Sequence, residues 1–165
     1  MDLVELEAVK RLKYRYLRCL DLKLWDEIRE CFTEDATAAY SGGKYAFRGR
    51  EAIVAFLERA MGATTFLSSH RVHHPEIHFE GDGEARGTWA LDDVVIETRF
   101  GITIRGAAFY EDRYRKEGGV WRIAETGYRR VFEEVFPRAS IAGLELTAHW
   151  WETKGQSRLP APGAE

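Results

Sequence analysis

A chain of 165 residues, 45% hydrophobic and 31% charged, suits one globular domain able to bury about two-thirds of the surface its unfolded form exposes. Its net charge of −3, with Lys and Arg scattered among Asp and Glu, leaves no electrostatic footprint for nucleic acid. No apolar run reaches membrane-spanning length, and the opening MDLVELEAVK lacks the basic and apolar blocks of a signal peptide, so a cytoplasmic protein with no membrane partner is expected.

Along the chain, Leu3, Leu6, Val9, Leu12, Tyr16 and Leu20 recur at three- and four-residue spacing, which predicts an amphipathic helix over residues 2–21. A second helix turns Leu24, Trp25, Ile28, Cys31 and Phe32 inward and stops near Thr33-Glu34-Asp35. Cys19 and Cys31, among apolar neighbours, read as buried free thiols. Residues 36–48 carry the turn Ser41-Gly42-Gly43 between two short extended pieces, a hairpin pattern. A third helix runs from Glu51 to Met61 on Ile53, Phe56, Leu57 and Ala60, closed by Gly62.

From there the period switches to two. Ile77 and Phe79 alternate with Glu76, His78 and Glu80, and Gly81-Asp82-Gly83 makes a turn. Alternating runs then cover 84–97, 100–116 and 119–134, the last two joined at Glu117-Gly118-Gly119. Helices first and long strands afterwards predict an α+β domain over residues 1–154: a curved antiparallel sheet, three N-terminal helices on one face, and a cavity between them. The tail 155–165, with Pro160 and Pro162, reads as flexible. Trp25, Trp89 and Trp121 read as core aromatics.

Tyr16, Asp21, Tyr40 and His70 are the candidate catalytic residues. A histidine held by a carboxylate is a general base near neutral pH. Two phenols are donors for an oxygen that gains charge as a proton leaves the neighbouring carbon. His70 precedes the alternating run that starts near Glu76, so it is placed at a strand start or cavity rim. His73 and His74 complete an H-x-x-H-H string; three such positions share a helix face, but a strand follows and no nearby Cys or carboxylate completes a ligand set, so no metal is expected. Tyr16 and Asp21 are about 140° apart around an ideal helix and flank one pocket only if the helix ends or bends between them. Asp93 falls on the apolar face of its strand with Trp89 and Leu91; a buried aspartate must be paired or protonated, and Arg130, on a face with Tyr128 and Phe132, is its obvious partner.

Several of these residues lie in strings that resemble the nuclear-transport-factor-2-like (SnoaL-like) superfamily and, within it, the bacterial bile acid 7α-dehydratases. The strings are YLRCLDLKLWDE (16–27), YSGGK (40–44), HHPEI (73–77), WALDD (89–93), GAAFYEDRY (106–114) and WRIAETGYRR (121–130), within a resemblance over roughly residues 8–135. The family pattern carries over onto Tyr16, Asp21, Tyr40, His70 and Asp93 as catalytic residues, with Arg130 in substrate binding. It implies a cone-shaped α+β barrel, no cofactor and a homotrimer, to which Trp150 and Trp151 would add cover for a neighbouring subunit. Residues 97–105 and the tail after Phe136 depart from the pattern.

The activity this implies is dehydration of a hydroxylated 3-oxo-Δ4 steroid, as a bile acid coenzyme A thioester or free acid. His70 takes the proton made acidic by vinylogy, Asp21 orients it, Tyr16 meets the 3-oxo oxygen, Tyr40 supports it or the departing hydroxyl, and Asp93 serves as the acid if burial keeps it protonated. Two other readings stand beside it: the same dyad acting on a polyketide, an aromatic or a halogenated ring, and a non-catalytic binding module of the same fold.

Overall fold

The computed structural model describes residues 2–81 and 83–163. Asp2 opens the first helix, α1 (Leu3–Leu22), by accepting from the backbone N–H groups of Val4 and Glu5. Lys23 closes it in the left-handed region, φ 57°, its N–H returning to the carbonyls of Cys19 and Leu20. The second helix, α2, spans only Trp25–Arg29. It is shorter than its apolar spacing predicts, because Phe32 already belongs to the first strand, β1 (Phe32–Tyr40). A turn at Ser41–Gly43 leads into β2 (Tyr45–Arg48), antiparallel to β1, as the hairpin reading requires. The third helix, α3, covers Arg50–Met61.

Four long strands follow: β3 (Phe66–Phe79), β4 (Glu84–Glu97), β5 (Ile102–Glu117) and β6 (Val120–Pro137). The sheet order is β2-β1-β6-β5-β4-β3. Its pairings are antiparallel except one: β1 runs parallel to β6, so the sheet is mixed at that seam. Burial alternates along β4, with every odd position from Ala85 to Glu97 buried, which marks the inner face. On that face α1 packs across β3 and β6, and α3 covers β1. This is the predicted curved α+β architecture.

Two of the sheet's register shifts move side chains near the site from where simple alternation puts them. In β3, His73 pairs with Ala90 and Glu76 with Thr88, so His74 and Pro75 together oppose Trp89. His74 takes φ 47° there. The bulge hides the first half of the strand from a period-two reading, and His70 lies well inside β3 instead of at its start. The second bulge, in β6, pairs Arg130 with Ala108 and Phe132 with Ala107. Arg130 therefore shares the inner face with Tyr128, while Phe132 turns to the outer face, half-exposed.

Trp89 and Trp121 are core residues as expected, Trp25 packs partly buried against the core, and both thiols are free and buried. After a short 3-10 turn at Arg138–Ser140 the described tail holds no helix or strand. It nonetheless folds back, placing the Trp151 ring 4.6 Å from the Lys23 ammonium. Asp82 in the expected turn and the last two tail residues lie outside the described residues.

The parallel seam is tight. A Cβ on Gly127 would meet the Ala39 carbonyl oxygen at 2.6 Å. Gly127→Ala should lower unfolding stability by about 1–3 kcal/mol, by forcing β1 from β6. Urea denaturation of the two proteins checks this.

Candidate active site

Asp21 stands at the last turn of α1, opposite the first part of β3. Its Oδ1 lies 2.6 Å from His70 Nδ1 and accepts the Ser68 hydroxyl at 2.8 Å, and its Oδ2 accepts the His70 backbone N–H at 2.9 Å. Both carboxylate oxygens are thus engaged from one strand, at two positions of the same face. A carboxylate facing Nδ1 fixes the proton on that nitrogen and leaves Nε2 as the atom able to accept one. Burial works against the Asp21 charge, but the bonds from the His70 ring, its backbone and Ser68 prevail and hold the carboxyl below its ordinary pKa.

Two further pairs complete the set. Tyr16 OH and Tyr40 OH are 3.2 Å apart in the core, where burial raises both phenols well clear of neutral pH and keeps them protonated. Arg130 grips Asp93 with both terminal nitrogens, Nη1 on Oδ1 and Nη2 on Oδ2 at 2.9 Å. Asp93 is therefore held in a two-point ion pair with Arg130. The strand between them makes the bridge possible: Asp93 of β4 pairs with Gly106 of β5, and a Cβ on Gly106 would lie 3.1 Å from Arg130 Nη1 and 2.6 Å from the Phe132 carbonyl oxygen.

The three pairs form a continuous series on the inner face. His70 is the direct cross-strand partner of Asp93. The Arg130 guanidinium lies 5.0 Å from the Tyr128 ring centre, and that ring is 6.0 Å from Tyr40. Ser68, Gly106 and Tyr128 are members of this site that residue patterns did not single out. Ser68 sits two positions before His70, so period-two spacing would have found it had the strand been recognised that far back.

Lys23 lies at the rim. Its Nζ donates to the carbonyl of Met61 at 2.5 Å and of Phe66 at 2.9 Å, tying the end of α1 to α3 and β3. Burial lowers its pKa to about 8, against the opposing pull of Asp21 and Glu97. Trp151 covers this lysine of its own chain, while Trp150 is exposed.

The four principal residues do not border the larger open grooves. One groove of ≈ 720 Å³ lies over β1, β2 and β6 beside Thr37, Ala46, Arg48 and Arg129, and another of ≈ 590 Å³ lies between α1 and the β5–β6 turn. His73 is exposed and stands 3.4 Å from Asp92, and among the described residues no group of three or more His, Cys, Asp or Glu is placed to hold a metal ion.

Two outcomes follow from these contacts. Because the folded Asp21 pKa lies below the unfolded one, its contribution to stability is fully present above the ordinary carboxylate range and is lost as pH falls through the lowered folded value. The stability gap between the protein and Asp21→Asn, measured by urea unfolding across that range, should therefore close with acidification; a gap independent of pH contradicts it. Arg130→Met leaves Asp93 buried and unpaired, which should cost about 3–5 kcal/mol, whereas Arg130→Met combined with Asp93→Leu should recover most of the loss. Thermal melts of the single and double variants decide this.

Residues 1–127 match the SnoaL-like domain family. A protein provisionally assigned as a scytalone dehydratase from Novosphingobium aromaticivorans is 25% identical, with a TM-score of 0.73 over 80% of this chain and 87% of that one. A hexachlorocyclohexane dehydrochlorinase, LinA type 2, is 16% identical, with a TM-score of 0.74 over 87% of this chain and 93% of that one. A protein of unknown function with a cystatin-like fold from Nostoc punctiforme is 19% identical, with a TM-score of 0.65 over 79% of this chain and 93% of that one. On the extent of the family match, which takes in α1 through the first part of β6, this chain belongs to the SnoaL-like domain family.

Proposed function

We propose that the protein is a cofactor-independent carbon–oxygen lyase that removes water by general-base proton abstraction. The observation that carries this reading is the Asp21–His70 contact of 2.6 Å, which leaves Nε2 free to act. His70 takes a proton from a carbon made acidic by a carbonyl; the electron pair moves into a dienolate, the carbon–oxygen bond breaks, and the departing hydroxyl leaves as water with a proton returned from the imidazolium. Asp21 holds the tautomer and balances the imidazolium. Tyr16 and Tyr40 donate to the oxygen that becomes charged. General-base action supplies about 10²–10⁴-fold, so the phenols must carry much of the remainder. Asp93 enters as the partner that fixes Arg130 beside the dyad.

For the substrate we propose a hydroxylated 3-oxo-Δ4 steroid of the bile acid type. This rests on the motif resemblance around Tyr16, Asp21, Tyr40, His70 and Asp93, which names the substrate class, while the structural likeness to a scytalone dehydratase supports dehydration alone. The likeness to the dehydrochlorinase favours a second reading, elimination from a halogenated ring by the same dyad. We also propose a cytoplasmic homotrimer; sedimentation equilibrium should return three times the chain mass, and a monomer at micromolar concentration removes that part. No described helix is long and apolar enough to cross a membrane.

Turnover is read as new conjugated-dienone absorbance across a panel of hydroxylated 3-oxo-Δ4 steroids, with chlorinated rings in parallel. His70→Ala should lose nearly all of it and Asp21→Asn less, since an amide still holds the ring but cannot stabilise the imidazolium. Tyr16→Phe should lower kcat by about 10²–10³-fold with little change in KM. A folded His70→Ala protein that retains turnover within about tenfold overturns the assignment of the base.

A further inference from the structure

Behind Tyr16 and Tyr40 the core holds a polar set that the dyad chemistry does not use. Lys13 lies three residues before Tyr16 on α1, its Nζ 2.7 Å from Asp112 Oδ2 on β5, and both side chains are 0% exposed. Asp112 also accepts the hydroxyls of Tyr114 and Thr126, each at 2.7 Å, and the Tyr114 oxygen accepts the Trp89 Nε1–H at 2.8 Å. The carboxylate is thus met by two hydroxyl donors and one ammonium. The ammonium has that one carboxylate and, on its other side, aromatic faces: it lies 3.4 Å from the Tyr110 ring centre and 5.1 Å from that of Tyr16. Tyr110 in turn meets Tyr128 edge-on at 5.5 Å, inside the series that leads to Arg130.

Stability does not account for this arrangement. Replacing a buried ion pair by apolar side chains of similar volume is often neutral or stabilising, so a fully buried lysine and aspartate in a core this aromatic point to another role. Asp112 is the counter-charge of the Lys13 ammonium, and the ammonium itself stands against the rings of Tyr110 and Tyr16. A cation on a phenol's π face draws electron density from the ring and strengthens its O–H as a donor. The field also favours negative charge on any oxygen those phenols contact, most of all in a site closed to water.

We propose that Lys13, anchored by Asp112, is a positioning residue that acts through Tyr110 and Tyr16 to strengthen hydrogen-bond donation from the Tyr16–Tyr40–Tyr110 cluster to an oxyanion. The proposal rests on the reading that Tyr16 and Tyr40 receive the substrate's charged oxygen. It extends that reading by making Tyr110 a third phenol of the cluster and the buried ammonium the source of its strength.

The test uses 4-nitrophenol, whose visible absorbance reports ionisation, as a stand-in for the dienolate oxygen. The wild-type protein should bind the phenolate preferentially, so that bound probe ionises at lower pH than free probe. The volume-matched pair Lys13→Met with Asp112→Asn should stay folded by thermal melt and weaken that preference about tenfold, a shift of about one pH unit in the bound probe. Tyr110→Phe, which removes one hydroxyl and leaves the ion pair, should move the probe the same way. A merely structural Lys13 would alter melting and leave the bound probe's ionisation where it was. The proposal is overturned if either folded variant keeps the wild-type ionisation within about twofold, or if the wild type shows no phenolate preference; should the double variant not fold, Tyr110→Phe decides alone. His70→Ala separates the two readings, since it should abolish turnover and leave the probe shift intact. A probe shift without turnover of any panel substrate removes the lyase reading alone, and turnover without a Lys13 effect on the probe removes this inference alone.

Discussion

The bonding of Asp21 to β3 is the constraint on which the site depends. One carboxylate accepts from the Ser68 hydroxyl, the His70 backbone and the His70 ring, so it pins the end of α1 to the sheet and sets the base in one contact set. A carboxylate at a helix C-terminus opposes the helix dipole. Here the left-handed cap at Lys23 ends the helix just beyond it, and three donors from a neighbouring strand offset the cost. Fold and chemistry use the same bonds: the Ser68 and backbone contacts orient the carboxylate, and that orientation is what aims it at Nδ1.

Around this contact the inner face of the sheet is arranged by glycines and bulges more than by bulky side chains. Gly106 lets Arg130 reach across a whole strand to Asp93, and the bulge just after Arg130 turns Phe132 to the outer face. In β3 alternation turns His70 inward beside Asp93 and His73 out toward Asp92, and the bulge at His74 and Pro75 then switches the inward positions from Val72 to Ile77 and Phe79. A fully paired site of this kind is preorganised: its charges meet partners before any ligand arrives, and little reorganisation is left for the reaction step.

The first and third helices, the hairpin, β4 and β5 were legible in the sequence because their apolar positions repeat at one period without interruption. Where a bulge adds a residue, the repeat breaks, and that is why His70 reads as a strand-start residue and Phe132 as an inner-face one. The pairs His70–Asp21 and Arg130–Asp93 were legible as chemistry, by complementary residue types, but not as geometry, since 49 and 37 residues separate their members. The parallel β1–β6 seam had no signal in local pattern at all; it follows from tertiary packing. Lys13 was invisible for a different reason: a lysine on an amphipathic helix reads as solvated, and only Asp112, brought from β5, makes its burial possible.

The chemistry of the dyad turns on the His70 ring tautomer. Nitrogen-15 NMR of the His70 side chain, in the pH range where the ring is neutral, measures it without any substrate. The wild-type protein should show a protonated Nδ1 and a bare Nε2, with the bare-Nε2 form losing population in Asp21→Asn. A ring protonated on Nε2 in the wild type, or a tautomer indifferent to Asp21, would contradict this reading of the dyad.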